Sequence, residues 1–287
     1  MIVLTTPTGQ IGRHLLQLLT DAGAPVRAIA RDPSRLPAGV DAVAGSHDDP
    51  AVLDAALAGA DALFLLIPPD RSAPDVDAHY RRFARSAAEA VARHGVGRVV
   101  LVSSFGRGIE RDAGLLTSAT IAEAEVEASG AATRALRPPY FMENLLHLVE
   151  PLRHGVLPMS SAADLPLPTV ATRDVAAAAA QLLLDATWTG QDGVPVVGPD
   201  DLTPSGIAAT LSEVLGRDVA LRQTTSADDR AMLIEHGASA SFADALAAMT
   251  DAQNRGVYAG EALPRTRGAT SLRDWASEVL RPALDAA

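Results

Sequence analysis

The chain has no cysteine and no lysine. Without cysteine there is no disulfide, no thiolate metal site and no cysteine nucleophile. Without lysine all 24 basic residues are arginine, so Schiff-base catalysis, a phosphate-loop lysine and a tyrosine–lysine acid pair are excluded by composition. Aromatic residues are scarce too, at 3% against a hydrophobic share of 48% carried by Ala, Leu and Val. That balance suits helices packed closely through small side chains better than an all-β sandwich. Positive charge is in deficit: the net charge of −11, unbroken by any basic run, argues against nucleic acid or an anionic membrane as a direct partner. No apolar run is long enough to span a bilayer. Met1 leads straight into an apolar strand without a charged and apolar leader, so a cytoplasmic location is expected. The seven histidines are scattered and lack paired helical spacing beside a carboxylate, which leaves metal catalysis without a ligand set.

What the chain does have begins at its first residues. Ile2-Val-Leu4 is an unbroken apolar run of the kind covered on both faces of a sheet, and Thr5-Thr-Pro-Thr-Gly-Gln-Ile-Gly12 carries it into the periodic run His14-Leu-Leu-Gln-Leu-Leu19. A strand that turns through Gly9 and Gly12 into a helix leaves unpaired N–H groups at the positive end of the helix dipole, an arrangement that binds a pyrophosphate. The candidate cofactor residues here are Thr6, Thr8, Gly9, Gln10, Ile11 and Gly12. Thr6 stands where the full dinucleotide fingerprint has its first glycine, and its Cβ leads us to expect an ordinary negative φ. His14 reads as a solvated or capping residue.

Pro25-Val-Arg-Ala-Ile-Ala30 reads as the second strand. Its tip carries Arg31 where a carboxylate usually accepts the ribose hydroxyls of NAD. Arg31 and Arg35 suit a 2′-phosphate through charge-assisted hydrogen bonds, so NADP(H) is expected over NAD(H), with Asp32 still in reach of a ribose. Val40-Asp-Ala-Val-Ala44 is a third strand, and Ser46-His-Asp-Asp-Pro50 a polar turn capping a helix over 51–58. Asp61-Ala-Leu-Phe-Leu-Leu-Ile67 is a central strand stopped by Pro68-Pro69. A helix over 75–94 leads to the strand 98–104, which ends in Ser103 and Ser104. These two either meet nicotinamide or substrate, or satisfy strand-end backbone groups.

A helix over 119–128 and a strand over 133–138 follow. Pro138-Pro-Tyr-Phe-Met-Glu-Asn-Leu-Leu-His147 is expected to turn into a helix with Tyr140, Asn144 and His147 on one face. Residues 152–168 have the Pro, Gly and Ser of a lobe-crossing segment or lid. Helices over 175–185, 203–215, 227–235, 241–254 and 271–280 and strands over 193–197 and 219–224 complete the chain. The alternation predicts a doubly wound parallel-sheet α/β Rossmann fold: residues 1–150 form the nucleotide domain, and 151–287 a smaller mixed lobe that shares part of its sheet and helices.

The stretches Thr6-Pro-Thr-Gly-Gln-Ile-Gly12, Arg31-Asp-Pro-Ser-Arg35, Ala62-Leu-Phe-Leu-Leu-Ile-Pro68, Val102-Ser-Ser104, Leu136-Arg-Pro-Pro-Tyr-Phe-Met-Glu-Asn144 and Arg173-Asp-Val-Ala176, in that order, resemble the NmrA-like group of atypical short-chain dehydrogenases. Gly198-Pro-Asp-Asp-Leu-Thr203 through Leu215-Gly216 is similar to that group's C-terminal lobe, so the resemblance spans most of the chain. It implies a cleft between a Rossmann domain and a small lobe. Gly9, Gln10, Ile11 and Gly12 would hold the pyrophosphate, Arg31 the 2′-phosphate, and Ile67, Pro68 and Pro139 the nicotinamide half. The group includes NADPH-dependent quinone reductases, triphenylmethane-dye reductases and NADP(H) sensors that regulate transcription. The chain departs from it at Thr6, and at Ala119, where several of the reductases carry a His ahead of the Glu matching Glu123. It also lacks the lysine acid of the isoflavone-reductase branch.

The expected activity is NADPH-dependent hydride transfer to a small molecule, a quinone, enone or similarly electron-poor acceptor. Its delocalised anion can take a proton from water, so positioning carries most of the catalysis. If a side chain gives the proton, Tyr140 is the first candidate and Ser103 or Ser104 the next, with Asn144 orienting by hydrogen bonding. The other reading of Tyr140 is a buried ring whose hydroxyl finds a backbone carbonyl. A non-catalytic NADP(H)-sensing regulator, favoured by the missing lysine and acid pair, stays open, as does a non-redox cyclase or isomerase. A homodimer through an Ala-rich helix is conceivable.

Overall fold

The computed structural model describes residues 1–106, 112–260 and 264–286. Its first strands, β1 (Ile2–Leu4), β2 (Val26–Ala30), β3 (Asp41–Ala44) and β4 (Ala62–Leu65), are short and parallel. Helix α1 (Gln10–Asp21) links β1 to β2, and α2 (Pro50–Leu57) links β3 to β4. Then α3 (Val76–His94) leads to β5 (Arg98–Val102) and α4 (Leu115–Glu127) to β6 (Ala132–Arg137). Two small pairings follow: β7 (Tyr140–Phe141) with β9 (Thr169–Val170), and β8 (Val156–Met159) with β11 (Ala220–Gln223). By contrast β10 (Gln191–Val197) and β12 (Thr266–Arg267) rejoin the main sheet, whose parallel order is β12-β10-β6-β5-β4-β1-β2-β3. The chain winds outward from β1 to β3, then restarts at β4 on the other side of β1. The carboxyl ends of β1 and β4 are therefore the topological switch point, where open α/β sheets bind ligands.

The pleat divides the apolar side chains between two layers. Val3, Leu63, Leu65, Val99 and Leu101 face α2, α3 and α4 through Leu53, Phe83, Ala84, Ala87 and Val126. Leu4, Phe64, Val100 and Leu136 face α1 and α6 (Thr172–Leu184) through Leu15, Leu19, Val175, Ala176 and Ala179. Alanine at these contacts lets helices approach the sheet closely. A further core beyond β7 gathers Phe105, Met142, Leu145 and, from α5 (Val149–Arg153), Leu152 with Leu211 of α7 (Pro204–Leu215), Trp275 and Leu280.

Three stretches differ from expectation, the first being β12, a main-sheet strand where none is expected. Residues 140–147 are not one helix: Tyr140 donates its N–H to the Pro168 carbonyl at 3.2 Å and pairs as a strand, and only residues 142–148 coil, as a 3-10 helix. Pro138 and Pro139 supply no N–H and bias the chain to extended backbone, which delays the turn. The segment 152–168 is not merely a crossing, because β8 lies within it and finds its partner in β11 far along the chain.

Glu143 shows why the coil after β7 stays tight. The residue before helix α6, Ala171, has no polar side chain to cap it. The buried Glu143 carboxylate does so instead, accepting the Thr172 N–H at 3.1 Å and its hydroxyl at 2.7 Å, and also the Trp275 indole N–H at 3.2 Å. One anion at a helix N-terminus thus ties three distant segments together. Glu143→Ala leaves these donors buried and unpaired, and is expected to cost about 3 kcal/mol, read as a lower urea midpoint.

Candidate functional site

Strand order sets the candidate residues side by side along one edge. The registers Leu4↔Phe64, Leu65↔Leu101 and Val102↔Leu136 bring the segments after β1, β4, β5 and β6 into sequence, with β2 on the far side of β1. Arg31, Thr6, Ile67 and Pro68, Ser103 and Ser104, and Pro139 therefore follow one another at the carboxyl edge. The span from β2 to β6 is four strand spacings, about 19 Å.

At the switch point Thr5 is fully buried and its hydroxyl stitches β1 to β4, donating to the Phe64 carbonyl at 3.1 Å and accepting the Leu66 N–H at 2.9 Å. Thr6 then adopts φ 51°, the left-handed region. The expected negative φ is wrong: the loop keeps the conformation a glycine would take and forces a β-branched residue into it, a strained arrangement that persists only when its surroundings over-determine it. The surroundings are Gly9, whose N–H donates to the Thr6 carbonyl at 3.0 Å, and Gly12, where an added Cβ would lie 2.0 Å from that same oxygen. Glycine at 12 is a steric requirement.

Helix α1 begins at Gly9 with no side-chain cap and no acid in its first turn. Thr8, Gly9 and Gln10 are exposed, whereas Ile11 turns its side chain into the core and can offer a ligand only its backbone. The Thr6 hydroxyl oxygen is buried with no hydrogen-bond partner. Bare helix N–H groups beside an orphaned hydroxyl, over a crossing too tight for a Cβ, fit a pyrophosphate. Past the tip of β2, the Asp32 carboxylate is taken up by Ser34, accepting its N–H at 3.1 Å and its hydroxyl at 2.6 Å, contacts that hold its pKa below the usual range. Arg31 and Arg35 are exposed, and among the described residues neither forms an ion pair.

Farther along, Ile67 is buried and Pro68 offers its carbonyl to His79 Nε2 at 2.9 Å. Ser103 donates its N–H to the Leu136 carbonyl at 2.8 Å, extending the β5–β6 ladder, and both Ser103 and Ser104 are half-buried. Pro139 is buried and Tyr140, next to it on β7, is half-buried. Burial pushes the Tyr140 phenol well above its ordinary pKa, and the nearby Asp229 carboxylate adds to the shift. Tyr140, Asn144 and His147 do not share a helical face, since Tyr140 is in a strand and His147 points to solvent. Glu123 is committed to structure, pairing with the fully buried Arg137 at 2.9 Å.

The polar turn 46–50 divides its work. Asp49 caps α2 by accepting the Ala51 N–H at 2.9 Å, and Asp48 pairs with Arg82 at 3.3 Å. His47, which pattern alone left among solvated neighbours, is buried against Phe83 with ring centroids 4.8 Å apart. His14 is half-buried too, close enough to Glu143 and Arg173 to feel both charges, and burial lowers its pKa. For His14 the signal available was its place at the head of an apolar-periodic run, whereas the polar turn around His47 carried none.

A family model for NAD(P)H-binding proteins matches residues 7–186. The chain belongs to this family. It is 34% identical to the (4-alkanoyl-5-oxo-2,5-dihydrofuran-3-yl)methyl phosphate reductase of Streptomyces griseus, with 97% of each chain covered. It superposes on the NADPH-dependent quinone oxidoreductase of Escherichia coli in complex with NADPH with a TM-score of 0.79, at 25% identity and over 98% of this chain and 100% of that one. The negative transcriptional regulator NmrA in complex with NADP shares the fold, with a TM-score of 0.76 at 17% identity over 99% and 97% of the two chains. The resemblance to the NmrA-like group therefore holds. Among the described residues no helix is long and apolar enough to cross a membrane.

Two outcomes follow from this geometry. Thr6→Gly relieves the left-handed strain and is expected to raise the melting temperature of the ligand-free protein by an amount equivalent to about 1 kcal/mol. The second concerns His47, whose imidazole burial pushes down to about 4 from 6.5. The unfolded chain then binds the extra proton between those values, so stability falls as pH drops from about 6.5 to about 4 and levels off below. The loss is up to about 3 kcal/mol. Urea midpoints across this range should slope in the wild type and flatten in His47→Leu.

Proposed function

We propose that this chain is an NADPH-dependent reductase that delivers a hydride to an electron-poor small molecule, a quinone or an α,β-unsaturated carbonyl compound. The observation that carries the reading is the bare amino end of α1, flanked on one side by the orphaned Thr6 hydroxyl and on the other by the exposed Arg31 and Arg35. The relatives support the choice of reaction. The Streptomyces griseus enzyme's named substrate is an oxo-dihydrofuran bearing an alkanoyl group, an electron-poor ring, and the Escherichia coli relative is a quinone oxidoreductase.

In this reading Thr6, Thr8, Gly9, Gln10 and the Ile11 and Gly12 backbone hold the pyrophosphate, and Arg31 and Arg35 the 2′-phosphate, which sets NADP(H) over NAD(H). Ile67, Pro68 and Pro139 wall the nicotinamide half and keep water from the reacting carbon. Bound there, the reduced cofactor supplies the hydride. Ser103, Ser104 and Tyr140 lie next along the edge, where their hydroxyls orient the acceptor and stabilise negative charge as it develops on oxygen. Asn144 sits three residues past β7, beside the Glu143 clasp, and orients rather than reacts. No lysine assists these neutral hydroxyls, so the acceptor must delocalise much of the charge itself, which favours conjugated carbonyls and quinones.

The absence of lysine also favours a second reading, a protein that senses the cofactor without turning it over. Purified protein with NADPH and a panel of quinones and conjugated enones separates them. The reductase reading expects loss of NADPH absorbance that saturates with acceptor, and binding without oxidation by any acceptor overturns it. Arg31→Ala should weaken NADPH by about tenfold or more and leave NADH affinity unchanged, since only the 2′-phosphate contact is removed.

A further inference from the structure

The link from β2 to β3 is one 3-10 turn, Pro33–Arg35, and a loop, where parallel strands are usually joined by a helix. The flank of α1 beside it is therefore open, and a cavity of about 750 Å³ lies between the two. Thr8 and Arg13 line this cavity from the α1 side, and Arg35 lines it from the link. The proposed cofactor site takes in Thr8 and Arg35 and leaves Arg13 without a task.

Arg13 closes the first turn of α1, its N–H donating to the Gly9 carbonyl at 3.0 Å, so its Cα stands about 6 Å along the axis from the helix start. Side chains on a helix lean toward its amino end, which carries this guanidinium back toward Thr8 and the bare amides. It is exposed and, among the described residues, has no hydrogen bond and no ion pair. The carboxylates of this flank are engaged elsewhere. Asp41, which lines the cavity, pairs with Arg27 at 2.8 Å, Asp32 accepts the Ser34 hydroxyl at 2.6 Å, and Asp21 accepts from Gln17 Nε2 at 2.7 Å. A cation in the first turn also faces the positive end of the helix dipole, and no acid in that turn offsets it. Arg13 thus works against the ligand-free fold, and an anion bound at the mouth of the cavity would remove the conflict.

We propose that Arg13 is a specificity-determining residue that grips the 2′-phosphate from α1, opposite Arg35 and Arg31. The inference rests on the cofactor site of the reductase reading. The helix amides hold the pyrophosphate, which leaves the guanidiniums for the second phosphate group. Arg31 and Arg35 approach that group from the β2 side alone, whereas Arg13 comes from the other wall of the cavity and encloses it. Several guanidiniums on one phosphate give short, charge-assisted hydrogen bonds from more than one direction, which a ribose hydroxyl in the same place cannot return. Arg13 therefore acts on the choice between NADPH and NADH and not on nucleotide binding in general.

The test is equilibrium titration of the wild type and Arg13→Gln with NADPH and NADH, and with 2′,5′-ADP and 5′-AMP as fragments without nicotinamide, alongside thermal melts of the ligand-free proteins. Arg13→Gln should bind NADPH and 2′,5′-ADP about five- to tenfold more weakly, with NADH and 5′-AMP unchanged. Its ligand-free melting temperature should equal or exceed that of the wild type, because a charge at the wrong end of a dipole has been removed. Wild-type affinity for NADPH in Arg13→Gln overturns the proposal. Equal weakening of NADPH and NADH also overturns it, by assigning Arg13 to the pyrophosphate, as does a ligand-free variant that melts below the wild type, which assigns the arginine to the fold. A wild type that binds neither dinucleotide overturns the cofactor site itself, a result distinguishable because it needs no variant.

Discussion

The closeness of the Thr6 carbonyl to Gly12 is the constraint on which the site depends. With 2.0 Å between that oxygen and any Cβ at position 12, α1 can lie against the end of β1 only if position 12 is bare. The approach fixes where the helix points, and with it the field at its amino end. It also forces Thr6 into left-handed backbone, so the loop stores conformational strain where a ligand would use it. Thr5 fastens the same turn to β4 and so binds the two halves of the winding at the switch point.

A second set of contacts connects this edge to the rest of the chain. Glu143 joins the β7 turn to the start of α6 and to Trp275, while Asp174 on α6 accepts the Thr270 N–H and hydroxyl at 3.0 and 2.9 Å. Because α6 packs on α1 through alanines, the position of the loop between β1 and α1 and that of the C-terminal segments are set by the same helix. Arg137 and Glu123 do similar work on the opposite face, and Gly193 leaves the space the guanidinium fills. Buried charge in this chain is used at joints between segments that would otherwise be held by apolar contact alone.

Most of this was legible in the residues. Short apolar runs broken by Gly and Pro at regular intervals gave the strands of the main sheet, all but the polar two-residue β12, to within a few residues, because strands covered on both faces carry an unmistakable composition. The glycine spacing located the turn from β1 into α1, though not its backbone: a Thr in left-handed conformation is set by Gly9 and Gly12 acting on it, and no rule read at position 6 alone contains that. The 140–147 helix failed for a related reason. Spacing described a helical face, whereas two prolines and a pairing with Thr169 decided the conformation.

The central claim is that the turn from Thr6 to Gly12 and the arginines beyond β2 form a site for a phosphorylated dinucleotide. Fluorescence titration of the wild-type protein with NADPH tests it most directly. The account predicts a saturable change in cofactor emission at one site per chain, with NADH binding more weakly at the same site. Emission that rises in strict proportion to added NADPH, with no saturation and no protection of the protein against thermal unfolding, would contradict it.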